Sequence, residues 1–181
     1  MSEPTEQHPF ITYLESKRED RAIMAALRRG LGQPPGSAPP MFPYVVPFLH
    51  DNMYAWQEES HYIVASLFGF YPESTVHGNM GTHFATLQRE NPASAAVERR
   101  FVALMAAHPE DLDFHLRQAI SLLKSKEVPV NWHRLMRDVL RWNNPDARAR
   151  VHRQWAAEFW RQSPVVSPDE TIEADDSSDD F

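Results

Sequence analysis

Residues 131–162 read NWHRLMRDVLRWNNPDARARVHRQWAAEFWRQ, and their spacing decides the fold. Apolar side chains recur at three and four positions: Trp132, Leu135, Met136 and Val139 in the first half, Val151, Trp155 and Phe159 in the second. That is the period of a helix with one buried face. Asn143-Asn144-Pro145 interrupts it, and Asn144 before Pro145 is a good N-cap with proline at the first helical position. At about 100° per residue, Arg134, Arg137 and Arg141 fall together opposite the apolar face of 131–142. Arg150, Arg153 and Arg161 likewise lie off the stripe of 145–162. The stretch is two amphipathic helices, each carrying a basic row.

The same period extends upstream. Helices are predicted at 82–90, 93–107 and 110–125, with breaks at Asn91-Pro92, His108-Pro109 and Pro129. In 112–124 the core face is Leu112, Leu116, Ala119 and Leu123, and Arg117 and Lys124, seven apart, point together away from it. A long helix over 53–70 takes Trp56, Ile63, Leu67 and Phe70 as its inner face. A first helix runs from Pro9 to Arg29, ending at Gly30 and Gly32. Between these two, QPPGSAPPMFPYVVP (33–47) is a Pro-rich loop with one short turn of helix around Phe42–Val46. YPESTVHGNMG (71–81) reads as a loop, ordered or mobile. There are six glycines, no sustained apolar/polar alternation, no sustained heptad and no internal repeat. The fold class is all-α, an irregular multi-helix bundle. Residues 1–162 make one helical domain or two small helical halves sharing a core.

Charge is divided along the chain. The whole carries −7, yet 114–162 holds ten Lys and Arg against four acids. Residues 163–181 hold seven acids (Asp169, Glu170, Glu173, Asp175, Asp176, Asp179, Asp180) and no Lys or Arg, which predicts a disordered acidic tail. Such a tail is either solubilising or an electrostatic competitor against loosely bound nucleic acid. A locally cationic helical face in a net-acidic protein is a candidate for binding a polyanion. Arginine outnumbers lysine fifteen to three, and its guanidinium fork suits phosphate.

Other chemistry is missing. With no cysteine there is no disulfide framework, thiolate nucleophile or Cys-ligated zinc. Nine histidines are scattered without an HExxH pattern or carboxylate partners at ligand spacing, so no metal site is predicted and the histidines read as surface or half-buried. No Gly-rich phosphate loop or GxSxG occurs, Glu58-Glu59 reads as a solvated pair, and no cofactor is implied. MSEPTEQHPF has no apolar signal core and no run of about 18 apolar residues exists, which fits the cytoplasm and no membrane. Most tryptophans read as core, with Trp160 near the arginine side of its helix.

An ordered set of short motifs resembles a known family. Ala26-Leu27-Arg28-Arg29-Gly30, Tyr44–Pro47, Val64-Ala65-Ser66-Leu67-Phe68 and Gly78-Asn79-Met80-Gly81 come first. Glu98-Arg99-Arg100-Phe101, Leu116-Arg117-Gln118, Val130-Asn131-Trp132 with Leu135, and Trp155-Ala156 with Phe159 follow. Over about residues 9–162 the chain looks like CasB, the small subunit of the type I-E CRISPR surveillance complex Cascade. The resemblance implies an all-helical protein without catalytic activity, present as two copies beside the backbone and large subunits. It implies contact with guide RNA and target DNA, helping to hold the strands of an R-loop. The motifs carry Arg28, Arg29, Arg99, Arg100 and Arg117 as nucleic-acid-binding residues. The charge faces alone add Lys124, Arg137, Arg141, Arg150 and Arg153. One of Arg99 and Arg100 has an alternative structural role, bonding Glu98 or a helix end.

Two other readings fit the residues. A helix-turn-helix regulator would use 131–142 and 145–162 with Arg148 reading bases. A structural adaptor would present its basic rows to acidic proteins. Charge reversal at Arg117, Arg137 and Arg141 is expected to weaken nucleic-acid binding while leaving helicity intact.

Overall fold

The computed structural model describes residues 6–162, and the expected acidic tail at 163–181 lies outside them. The described chain is helical: α1 (Pro9–Ser16), α2 (Arg21–Arg28), α3 (Phe42–Val45), α4 (Ala55–Phe70), α5 (Met80–Glu90), α6 (Ala95–Met105), α7 (Leu112–Ser125), α8 (Trp132–Val139) and α9 (Pro145–Gln162). Short 3-10 turns at Pro39–Met41, Val46–Phe48 and Pro109–Asp111 join some of them. The Pro-rich segment thus holds its expected short helix, flanked by two tight turns.

The helix starts follow cap chemistry. Asn79, Ser94, Asn131 and Asn144 each accept a backbone N–H from the first turn of α5, α6, α8 and α9. The same chemistry corrects the first helix, which is not continuous from Pro9 to Arg29. One oxygen of Asp20 accepts from Ala22 N–H at 2.9 Å and Ile23 N–H at 3.1 Å. This starts a new helix, because a side-chain carboxylate competes with the ladder for backbone donors.

A second correction concerns α4. Its inner face is not Trp56, Ile63, Leu67 and Phe70: Tyr62, Val64, Ala65, Leu67 and Phe68 are buried, with Trp56, Ile63 and Phe70 only partly so. Helix α4 runs through the middle, against α2 on one side and α7 and α8 on others. A one-stripe reading assumes a single neighbour, and a central helix has several. Two buried hydroxyls fit there because each bonds back along the helix, Ser60 to Trp56 O at 2.7 Å and Ser66 to Ile63 O at 2.9 Å.

Two crossings are set by glycine. Helix α2 lies on α4 at Gly69, and α5 lies on α9 at Gly81. A Cβ at Gly81 would overlap the Trp155 carbonyl, so the α5 and α9 backbones touch there. The core runs from Phe10 to Phe159 as one cluster. Its three fully buried indoles each donate their N–H: Trp132 to Glu73 O, Trp142 to Ala107 O and Trp155 to Asp138 Oδ2.

The segment after α4 is ordered by long-range bonds. Thr75 N–H donates to Val130 O at 3.0 Å, Val130 N–H to Glu73 O at 3.1 Å, and the Asn131 amide to Gly78 O at 3.0 Å. His83 and His133 join this scaffold. His83 Nε2 accepts Asn131 N–H, while His133 Nδ1 accepts His8 N–H and its Nε2 faces Glu15. The expectation of surface or half-buried histidines fails at His61, His83 and His133, all buried. Each has polar partners that offset its burial, which spacing along the chain does not reveal.

Candidate nucleic-acid interface

The basic residues expected at the site fall into three groups. The first gathers where α2, α4 and α7 meet. Helix α4 ends at Phe70, leaving carbonyls without partners in the helix. Arg28 donates to Gly69 O at 3.5 Å and Lys124 to Phe70 O at 3.0 Å, with Lys124 Nζ also 3.9 Å from the centre of the Phe70 ring. Cations at a helix C-terminus are favoured by its dipole. Both side chains remain exposed, so each caps α4 and faces solvent. Arg117 places its guanidinium against Gly32, whose φ of 70° a glycine adopts freely, and 5.9 Å over Phe114. Arg29 is exposed beside them. Arg28 and Arg29 at the end of α2 thus share a patch with Arg117 and Lys124 of α7, far along the chain.

The second group is α8, and it is not a free basic row. Asp138 is fully buried. It takes Arg134 Nε at 3.1 Å on both oxygens and the Trp155 indole at 2.8 Å, with Arg141 3.8 Å away. Burial pushes its carboxyl above the ordinary range, and Arg134, Trp155 and Arg141 pull it back. Arg134 also donates to Gln154 of α9 at 2.6 Å. Arg137 is half-buried, with its Nε enclosed and its fork 3.7 Å from Glu6. Arg134 therefore serves the buried carboxylate first, Arg137 turns to Glu6, and of the three only Arg141, just past α8, is largely exposed. Asp138 was missed as an organiser, although its four-residue spacing from Arg134 is the signal of a helical ion pair.

The third group spans α6 and α9. Phe101 of α6 stacks on Phe159 of α9 at 4.5 Å and lies 5.8 Å from the ring of Trp160. This brings Phe101, which follows Arg99 and Arg100 on α6, against the C-terminal half of α9. Arg99, Arg100, Arg150 and Arg153 are all exposed, and none enters an ion pair among the described residues. Neither Arg99 nor Arg100 bonds Glu98. Trp160 is 41% exposed, an indole presented on the basic side of its helix. Arg148, the base-reading candidate of a regulator, turns inward and donates to Trp142 O at 3.2 Å.

Between Arg29 and Arg89 the chain has no Lys or Arg, so the face formed by α3 and α4 lacks cations and the basic groups lie elsewhere. Among the described residues no three His, Asp or Glu side chains cluster to hold a metal, and no helix is long and apolar enough to cross a membrane.

Fold and surface together define a class: an all-α protein without strands among the described residues, whose exposed arginines are concentrated on a few helices. Comparison makes this particular. The family profile for CRISPR-associated protein Cse2 matches residues 23–160. A Cse2 protein of Thermus thermophilus is 36% identical over 152 residues, covering 83% of this chain and 86% of the relative. The crystal structure of CasB from Thermus thermophilus superposes with a TM-score of 0.72 at 34% identity, covering 84% of this chain and 96% of that one. A chain of a CRISPR RNA-guided surveillance complex does so with a TM-score of 0.71 at 25% identity, covering 84% and 90%. The chain belongs to the Cse2 (CasB) family.

Proposed function

We propose that this protein is a non-catalytic subunit of a type I-E Cascade complex, gripping nucleic-acid backbones without reading sequence and stabilising the R-loop in antiviral defence. The observation that carries the reading is the exposed set Arg99, Arg100, Arg150 and Arg153, without an ion pair among the described residues, on α6 and α9 of a Cse2-family chain. Phosphate contacts position a protein on nucleic acid and supply sequence-independent affinity. Replacing DNA pairing by guide–DNA pairing is nearly balanced in energy, so a few such contacts tip the exchange. The patch of Arg28, Arg29, Arg117 and Lys124 extends the grip. Arg141 adds to it at the edge of the Asp138 network, and Arg137 contributes least. The partners are the backbone and large subunits, a second copy of this chain, guide RNA and target DNA, all in the cytoplasm.

The test measures binding of scrambled single- and double-stranded DNA across a salt series, for the protein alone and assembled with its partner subunits. The fourfold variant Arg99→Ala, Arg100→Ala, Arg150→Ala, Arg153→Ala is compared with the parent. These four sites bond no buried group, so helicity is expected to stay unchanged. If all four meet phosphates, the slope of log K against log salt shrinks by about 3–4, at about 0.9 per lost contact to duplex. Equal binding at every salt in both forms would remove this face from the interface. Tight binding of a single sequence would replace the proposal with a regulator.

A further inference from the structure

We infer that the acidic segment 163–181 docks on the cationic face of α9 and keeps loosely bound nucleic acid off it. This rests on the reading of that face as a phosphate-gripping surface. Three observations meet here. First, the segment's seven carboxylates are accompanied by no Lys or Arg. Second, the segment follows directly on Gln162, the last residue of α9. Third, Arg150, Arg153, Trp160 and Arg161 fall within about 100° of one another around α9. All four are exposed, and among the described residues only Arg161 of these arginines meets a carboxylate, Glu158 at 3.8 Å.

The reach is sufficient. Arg150 lies about 18 Å back along the helix from Gln162, at about 1.5 Å per residue. A chain the length of 163–181 can span about 60 Å. Tethering holds the carboxylates near the arginines at an effective concentration in the millimolar range. Exposed ion pairs are individually weak and screened by salt, so the docked state is displaceable. Duplex DNA, with one charge per about 1.7 Å of axis, is the stronger competitor once partner subunits hold it in place. Dispersed nucleic acid without such partners competes poorly. The segment therefore raises discrimination between assembled target and bystander polyanion.

The experiment uses the full chain, with and without all seven carboxylates of 163–181 changed to the matching amides. The protein has no cysteine, so Ser177→Cys accepts a single nitroxide label. Relaxation enhancement of α9 amides then reports contact with no nucleic acid present. Expected at low salt is broadening along 150–161 that disappears in about 0.5 M salt and in the amide variant. Scrambled DNA is expected to bind the amide variant about three- to tenfold more tightly than the parent at low salt, the range a few exposed pairs supply. Absence of α9 broadening overturns the docking whatever the DNA result. Broadening with equal DNA affinity in parent and variant overturns the competition. If the amide variant frees α9 yet binds no DNA at any salt, the phosphate-gripping reading fails while the docking stands.

Discussion

His83 shows how a single residue can be silent in sequence and decisive in the fold. Buried between α5 and the start of α8, it accepts the Asn131 backbone N–H at 3.1 Å, so its ring must be neutral at Nε2. Burial lowers its pKa to about 4. The unfolded chain therefore takes up a proton near pH 6.5 that the folded chain refuses. The neutral ring's contribution is complete above about pH 6.5 and is lost as pH falls toward about 4. The difference is worth about 3 kcal/mol. Urea unfolding of the parent at pH 7 and about pH 4.5 is expected to show a loss at least this large, since His8, His61 and His152 are lowered by burial as well, and His83→Gln to shrink it by about 2–3 kcal/mol. An unchanged pH dependence in the variant would mean that His83 does not stay neutral in the fold. Nothing in the spacing of the nine histidines separates this one from exposed His77. Asp138 differs, since its partner Arg134 stands one turn away on the same helix.

At the scale of elements, spacing and caps placed most helices to within a few residues, because α-helix hydrogen bonds are local. The breaks at Asn91-Pro92, His108-Pro109 and Asn144-Pro145 hold. The failures lie where a tertiary neighbour intervened, as in the multi-sided burial of α4, or where a local cap won, as at Asp20 between α1 and α2. How closely helices approach was hidden too. Gly81 reads as part of a loop in the sequence, whereas it sits in the first turn of α5 and admits the α9 backbone. Gly81→Ala is expected to cost about 3 kcal/mol, toward the top of the range for overpacking. Equilibrium denaturation checks it. A loss below about 0.5 kcal/mol, the scale of a neutral surface change, would mean that α5 and α9 do not meet there.

Across the whole molecule, one apolar cluster connects Phe10 of α1, Phe68 of α4, Phe101 of α6 and Phe159 of α9. Helicity and tryptophan fluorescence are therefore expected to report a single, coincident unfolding transition. Two resolved transitions would divide residues 6–162 into separately stable halves. Charge is arranged at this scale as well. A pI near 5.7 describes the sum, while the cations avoid α3 and α4 and collect on α2 and on α6 through α9.

By itself the sequence determined the all-α class, the helical breaks, the candidate arginines and the family resemblance, since all of these rest on short-range spacing. Only the tertiary structure decided which arginines are free. Arg134 and Arg137 looked equivalent to Arg150 and Arg153 on a helical wheel. Arg134 differs because folding encloses Asp138, and a buried carboxylate needs cationic and hydrogen-bonding partners that an exposed one finds in water, while Arg137 is half-buried and turned to Glu6.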